Sequence, residues 1–294
     1  MKIYLENRQE AKEYEMIKNL ETGSQKPAVK ESMQYAVYSR QLLFITHCLL
    51  LTAYCLLATV FYGCAGSKAN RKEDADIHYK LGVVHLNERN IPEALKELIT
   101  AVEKYPDEAS YHNALGLAYF AKGLHDDAIK HFKKAIRIDP KFSDASTNLS
   151  AVYIEKKEWD AAIAAAQKAL ANILYTTPEL AYFNMGRAFY EKTDYVEAEE
   201  SFKKAIKNNS MYLQAYNSLG LTYMRMNKDK EAADTFRLVI KNAPNYADAH
   251  YNLGLVLIKI KDKKGAANAF QEVIKLVPDS EMARSAKGYI DLLK

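Results

Sequence analysis

Cysteine is scarce in this chain and is absent from most of it. The three cysteines are Cys48, Cys55 and Cys64, and all of them lie in or just after one hydrophobic run. Residues 65–294 therefore contain neither a disulfide nor a cysteine-ligated metal site. Any function of that part of the chain must come from other side chains.

Glycine and proline are also sparse, with 11 and 7 among 294 residues. Few residues therefore interrupt regular structure, and the abundant Ala, Leu, Lys and Glu favour helix. The formal net charge is only +4, which argues against a nucleic-acid binder, because such proteins usually carry a strong basic bias.

Catalytic motifs are missing as well. The sequence shows no nucleophile motif, no phosphate-binding loop and no carboxylate pair at a catalytic spacing. We therefore expect a chain that is not an enzyme and that needs no cofactor, no metal and no small-molecule substrate.

Charged residues are absent from one stretch, residues 42–63, which is long enough to span a bilayer. It separates a polar leader, residues 1–41, from a small and then charged linker that follows Cys64 to residue 74. Everything after the linker is periodic, and we expect residues 75–279 to form repeats.

Small residues recur every 34 residues, with one interval of 36, at Gly82, Gly116, Ser150, Gly186, Gly220 and Gly254. Twelve residues after each comes an alanine: Ala94, Ala128, Ala162, Ala198, Ala232 and Ala266. Sixteen after each come Leu98, Phe132, Ala166, Phe202, Phe236 and Phe270. Four of the six units end at a proline: Pro106, Pro140, Pro244 and Pro278.

This pattern resembles the tetratricopeptide repeat, L-G-x-x-Y, then A-x-x-x-F, then P. The resemblance implies an all-α, right-handed superhelical solenoid of six helix pairs. The glycine and the alanine are expected where the two helices of a pair cross. Residues 280–294 have helical apolar spacing and are expected to form a capping helix over the last pair. We expect Ser143 or Asp144 to cap a following first helix.

The third unit is irregular, with Ser150 for the glycine, Ala166 for the aromatic residue and a join two residues longer than the others. Two interpretations stay open. Its second helix is longer, or the superhelical pitch changes there and shapes a partner site.

In such arrays the first helix of each pair lines the concave surface. With the glycine as position 8, positions 5, 9 and 12 share one helix face. That face is largely apolar here, which is typical of a partner site; the alternative is that some of its side chains pack between neighbouring first helices. The predicted groove takes its residues from these three positions and adds Asn184, which lies at position 6. It comprises Tyr79, Val83, Leu86, Leu117, Phe120, Ile154, Phe183, Asn184, Arg187, Tyr190, Leu221, Met224, Tyr251, Leu255 and Ile258.

Two sets of polar residues on the first helices, the asparagines at position 6 and the histidines at position 4, are also singled out by the repeat pattern. Asparagines at position 6 are expected to bond the backbone of a bound peptide: Asn148, Asn184 and Asn252. Histidines at position 4 are expected to pack between helices rather than to bind metal: His78, His112 and His250.

The end of the hydrophobic run resembles a bacterial lipoprotein signal, in which a small residue precedes the lipidated cysteine. Gly63 and Cys64 match that pattern, whereas Phe61 and Tyr62 depart from it. A start at Met33 would give the usual short basic leader, so residues 1–32 are expected to be absent from the natural product. An uncleaved membrane helix is the alternative.

A lipidated cysteine followed by six repeats, with the join ALANILYTTPELAYFNMG, is similar to the type IV pilus biogenesis and stability lipoproteins, the pilotins. That resemblance implies a scaffold at the periplasmic face of the bacterial outer membrane. It would bind the secretin subunit of the pilus and promote its assembly. The alternatives are an inner-membrane anchor, an adaptor lipoprotein for cell-wall or other envelope complexes, and a module of a sorting or secretion enzyme complex.

Overall fold

The computed structural model describes residues 69–293 without a break, together with residues 15, 18, 38, 39, 43, 46, 47 and 50. The chain divides into two compact units, Met1–Asn70 and Arg71–Lys294. Cys64, its linker to residue 68, and most of the leader and hydrophobic run lie outside the described residues. The lipid anchor and the start at Met33 therefore stay predictions. No helix among the described residues is long and apolar enough to cross a membrane.

Thirteen α-helices and no strand form residues 69–293. They are α1 (69–87), α2 (Ile91–Lys104), α3 (Ala109–Ala121), α4 (His125–Ile138), α5 (Ser143–Glu155), α6 (Trp159–Leu170), α7 (Pro178–Glu191), α8 (Tyr195–Asn208), α9 (Leu213–Arg225), α10 (Asp229–Asn242), α11 (Ala247–Lys259), α12 (Lys263–Leu276) and α13 (Glu281–Leu293).

The helices pair in sequence order, so that α1 and α2 form repeat 1 and α11 and α12 form repeat 6. Consecutive helices pack on one another, and first helices of neighbouring repeats also touch. The last helix, α13, packs on α12 and buries Ala283 and Ala286, while its Tyr289 ring stacks on Phe270 with centroids 5.1 Å apart. The predicted all-α solenoid of six helix pairs with a capping helix is confirmed.

In the five repeats that have a glycine at position 8, this glycine lies directly against the large side chain sixteen residues later. A Cβ added to Gly186 would lie 2.6 Å from Cε1 of Phe202, and one added to Gly82 would lie 2.5 Å from Cγ of Leu98. The four phenylalanines at this position are fully buried: Phe132, Phe202, Phe236 and Phe270. The predicted close crossing is thus confirmed, and any larger residue would push the two helices apart.

The prolines end second helices in the way that the sequence predicts. The residue before each has left the helical region: Tyr105 (φ −143°), Asp139 (φ −126°), Ala243 (φ −138°) and Val277 (φ −138°). Proline disfavours helical backbone at the preceding residue. Each second helix therefore stops where the next repeat must begin.

The turn between the two helices of each repeat contains one residue with left-handed backbone. These six residues are Arg89, Gly123, Lys157, Thr193, Asn227 and Lys261. Only one of the six is a glycine, the residue that adopts this conformation without strain. Because the other five turn residues are not glycines, this regularity leaves no signature in the sequence.

Two expectations about the third repeat and its neighbours are wrong. The second helix α6 has 12 residues against 14 in α4 and α8, so it is shorter, not longer. The extra residues form a loop, 171–177, in which Ile173 is 94% exposed and Leu174 is 80% exposed. Ser143 does not cap α5, since it is already helical and its hydroxyl donates to the Ala169 carbonyl oxygen at 3.0 Å.

Candidate protein-binding surface

Positions 5, 9 and 12 of the first helices form what we call the first-helix face. Among the predicted groove residues, Ile154 and Asn184 are buried, with 4% and 7% of their surface exposed. The others are half-buried: Tyr79, Val83, Leu86, Leu117, Phe120, Phe183, Arg187, Tyr190, Leu221, Met224, Tyr251, Leu255 and Ile258. No described contact tests whether they bind a partner, so that role stays a prediction.

A first cavity, which we call the N-terminal cavity, opens between α1 and α3 and has a volume of about 420 Å³. Its lining is mainly apolar: Tyr79, Val83, Leu86, Asn87, Asn113, Ala114, Leu117, Phe120 and Ala121. Five predicted groove residues thus meet in one place. The pairing of repeats 1 and 2 creates the cavity, because neither helix could form it alone.

A second cavity, the central cavity, has a volume of about 340 Å³ and lies along α5, α7 and α9. Four predicted groove residues line it, and the full lining is Ile154, Glu155, Lys157, Trp159, Arg187, Tyr190, Glu191, Phe202, Ser218 and Leu221. Its lining combines apolar side chains with two acidic and two basic residues.

Ion pairs and hydrogen bonds link the first helices around the central cavity. The Arg187 Nη2 donates to Glu155 Oε1 at 3.3 Å, joining repeats 3 and 4. Arg225 Nε donates to the Tyr190 hydroxyl oxygen at 3.0 Å, and its guanidinium lies 6.0 Å from the Tyr190 ring centroid. These partly exposed contacts contribute little to stability, but they fix the side chains that border the cavity.

The remaining predicted groove residues pack mostly against the solenoid itself. Phe183 lies with its ring centroid 4.9 Å from Tyr212 and 5.8 Å from Phe202. Tyr251 contacts Phe270 and the capping-helix residue Tyr289. Met224, Leu255 and Ile258 pack on the same C-terminal core. These contacts show packing within the solenoid, and whether the exposed part of each side chain also binds a partner stays a prediction.

The asparagines at position 6 bond to neighbouring first helices. Asn148 Nδ2 donates to Asn113 Oδ1 at 3.0 Å, and Asn252 Nδ2 donates to Asn217 Oδ1 at 3.2 Å. Asn184 Nδ2 donates to the Thr147 carbonyl oxygen at 3.1 Å in a buried bond. Their amides connect repeats, a role that the sequence did not predict, and hydrogen bonding to a bound peptide stays a prediction.

The histidines at position 4 pack between helices, as predicted. His112 Nε2 bonds the Pro106 carbonyl oxygen at 2.9 Å, and His250 Nε2 bonds the Pro244 carbonyl oxygen at 2.9 Å. His78 Nδ1 lies 2.6 Å from Glu97 Oε2. Within the part of the chain that the structure describes, no three His, Cys, Asp or Glu side chains gather in a way that could hold a metal ion.

Several cavity residues were missed by the sequence analysis. Trp159, the only tryptophan of the chain, begins α6 and lines the central cavity with Lys157 from the turn before it. Asn87 lies at the end of α1 and lines the N-terminal cavity. For Trp159 the only signal in the sequence was a large aromatic residue at the start of a second helix. Lys157 had no such signal, because turn residues have no helical periodicity.

Comparison with protein families agrees with the repeat pattern. Three family models described as "Tetratricopeptide repeat" match this chain: one over residues 79–141 and 183–247, one over 119–173 and one over 247–280. Together they cover more than half of the chain.

Among curated proteins, a chloroplast tetratricopeptide repeat domain-containing protein, PYG7 of Arabidopsis thaliana, is 33% identical over 31% of this chain and 32% of its own length. The type IV pilus assembly protein PilF of Pseudomonas aeruginosa is 25% identical over 52% of this chain and 64% of its own length. The chain thus spans about a third of the length of PYG7 and just under two thirds of the length of PilF.

A similar solved structure is that of PilW, described as a widely conserved type IV pilus biogenesis factor. It has a TM-score of 0.69 at 18% identity and covers 72% of this chain and 98% of its own. At this identity the likeness shows the fold alone.

Proposed function

This chain belongs to the tetratricopeptide-repeat family, and from that premise we propose that it is a non-enzymatic scaffold whose first-helix face binds a protein partner. The observation that carries the proposal is the pair of cavities along that face. Together they bring nine of the predicted groove residues into two partly open hollows. Half-exposed apolar side chains around a hollow are typical of protein-binding sites.

The partner that we propose is the secretin subunit of a type IV pilus. Two observations support it: the 25% identity to PilF of Pseudomonas aeruginosa and the sequence join between repeats 3 and 4 that is similar to the pilotins. Both favour a role in pilus biogenesis over the cell-wall alternative.

The proposed anchor is Cys64, lipidated and held at the periplasmic face of the outer membrane. Its support is the sequence around Gly63 and Cys64. Each buried methylene of an acyl chain contributes about 0.8 kcal/mol, so a cysteine that carries more than one chain stays in the bilayer. The tether would concentrate the scaffold where the secretin ring assembles.

The proposed mechanism rests on the fact that the two cavities belong to different repeats. The N-terminal cavity belongs to repeats 1 and 2, and the central cavity to repeats 3–5. Two apolar side chains of one extended partner segment would occupy one cavity each, and each would contribute about 1.5–3 kcal/mol on burial. Covering these side chains would keep an unassembled subunit from aggregating before its ring closes.

The proposal is tested in cells that lack the natural gene and produce the full chain or a variant. We expect Leu117→Glu and Leu221→Glu, one in each cavity, to lower the amount of membrane-bound secretin multimer. Val196→Glu is the matched control, because Val196 is an apolar residue of α8 with 65% of its surface exposed and lines neither cavity.

Normal secretin multimers in the two cavity variants, at normal levels of the scaffold, would refute the proposed partner. A defect in cell-wall growth with normal multimers would instead support the envelope-adaptor alternative.

A further inference from the structure

In repeats 1 and 2 the residue at position 4 of the first helix faces the residue fifteen after the glycine, on the second helix of the same repeat. Histidine occupies position 4 three times and meets a different partner each time. In repeat 1, His78 faces Glu97 at 2.6 Å. In repeat 2, His112 faces His131 at 3.0 Å between the two Nδ1 atoms. In repeat 6, His250 occurs with Ala269 at the equivalent position.

The hydrogen bonds of His112 and His131 determine which ring nitrogens carry protons. A carbonyl oxygen only accepts, so His112 Nε2 carries the proton that bonds Pro106. A neutral His112 then has a lone pair on Nδ1, which accepts the proton of His131 Nδ1. Two neutral imidazoles satisfy both contacts, whereas two charged ones do not, because two Nδ1–H groups would then face each other.

The surroundings of the pair disfavour its charged form. His112 is 5% exposed, the His131 ring is stacked between His112 and Tyr119, and burial lowers the pKa of His112. Burial, followed by the neighbouring His112, lowers the pKa of His131 to about 4. Four charged groups act on the pair, and their effects on its pKa values oppose each other. Lys134 lowers and Asp107 raises the pKa of His112, while Lys130 lowers and Asp127 raises the pKa of His131.

We propose that the His112–His131 pair is an acid-sensitive latch that holds α3 on α4 at neutral pH and releases it at acid pH. The first proton taken up by the pair places a charge between two packed helices, which burial disfavours, and a second proton sets two Nδ1–H groups against each other and breaks the hydrogen bond. In a repeat array each repeat contacts only its neighbours, so loosening is confined to repeat 2 and its contacts.

The latch also lies next to the N-terminal cavity. Asn113 follows His112 in α3 and lines that cavity, and Asn113 in turn accepts the hydrogen bond from Asn148 of repeat 3. Movement of α3 away from α4 would therefore change the cavity and the contact between repeats 2 and 3. The latch is a property of the fold and does not depend on the identity of the partner.

The sign of the effect follows from linkage. The unfolded chain has histidines near their ordinary pKa of about 6.5, whereas the folded pair resists protonation. Between about pH 6.5 and 4 the open state binds more protons than the closed state, so stability falls as the pH falls. In repeat 1 the group that faces the histidine is the carboxylate of Glu97, which accepts a hydrogen bond from an imidazole N–H.

Hydrogen exchange of backbone amides in the full chain tests the proposal, with rates corrected for the intrinsic effect of pH. Between pH 7 and pH 5 we expect exchange in α3 and α4 to rise on the order of tenfold relative to α11 and α12. The matched variant is His131→Ala, which reproduces the His–Ala arrangement of repeat 6 and should abolish the rise. His131→Glu, which reproduces repeat 1, should abolish or reverse it.

The proposal is overturned if α3 and α4 in the natural chain respond to pH no more than α11 and α12 do. It is also overturned if His131→Ala leaves the response in place. Circular dichroism at pH 7 establishes that both variants are folded before the comparison is made.

Discussion

Ser150 donates a hydrogen bond from its Oγ to the carbonyl oxygen of Ala162 at 2.8 Å. It holds the position that a glycine holds in the other five repeats, where the glycine meets a large side chain. In repeat 3 the residue at that second position is Ala166, which leaves room for the serine. Both members of the packing pair have changed together, and a hydrogen bond replaces part of the lost aromatic packing.

The first prediction transfers this arrangement to repeat 4. Gly186→Ser alone would press its Cβ against the Phe202 ring, and should cost about 1–3 kcal/mol. Phe202→Ala alone should cost about 3–5 kcal/mol, since the ring is fully buried. We expect the double variant to be less destabilised than the sum of the two, as measured by urea unfolding. Strict additivity would contradict the account of repeat 3.

The sequence predicted the parts of the fold that depend on the 34-residue period: the six helix pairs, the close glycine crossings and the proline stops. It did not predict the turn conformation at Thr193 or the shortened α6, because neither alters that period. The groove itself stays a prediction, but five of its predicted residues line one cavity and four line another. The sequence could not separate cavity residues such as Leu117 from packed ones such as Tyr251, because that difference depends on how neighbouring repeats stack.

The second prediction concerns the turn of repeat 4. Thr193 is β-branched and adopts φ of 66°, where such residues are strained. Thr193→Gly should raise the free energy of unfolding by about 1 kcal/mol, detected as a higher midpoint of thermal unfolding. Gly123 has φ of 79° in the equivalent turn, so Gly123→Ala is the reciprocal control and should lower the midpoint. A lower midpoint for Thr193→Gly would show that its side chain contributes more than the strain costs.

The third prediction separates a structural role from a binding role at Asn184. Its buried amide satisfies the Thr147 carbonyl oxygen, so Asn184→Ala should destabilise the chain by about 1–3 kcal/mol. Affinity for the partner should stay unchanged at a temperature where the variant is folded. Unfolding measures the loss of stability, and titration of the same preparation with the partner measures the affinity. A large loss of affinity in a stable variant would show that Asn184 belongs to the binding site.

The fourth prediction concerns the anchor. Cys64→Ser removes the proposed lipidation site, and the protein should lose its membrane attachment while keeping its helical content. Mass spectrometry of the natural membrane-extracted protein should find an acylated N-terminus at Cys64. Recovery of peptides from residues 42–63 in the mature protein would instead favour the uncleaved membrane helix.

The most direct test of the account is a calorimetric titration of the purified full chain with the secretin subunit. We predict saturable binding that Leu117→Glu and Leu221→Glu each weaken about tenfold or more, since each removes a buried apolar contact and adds a charge. Val196→Glu should bind as the natural chain does. Equal affinity in all four proteins would contradict the claim that the first-helix face holds the partner.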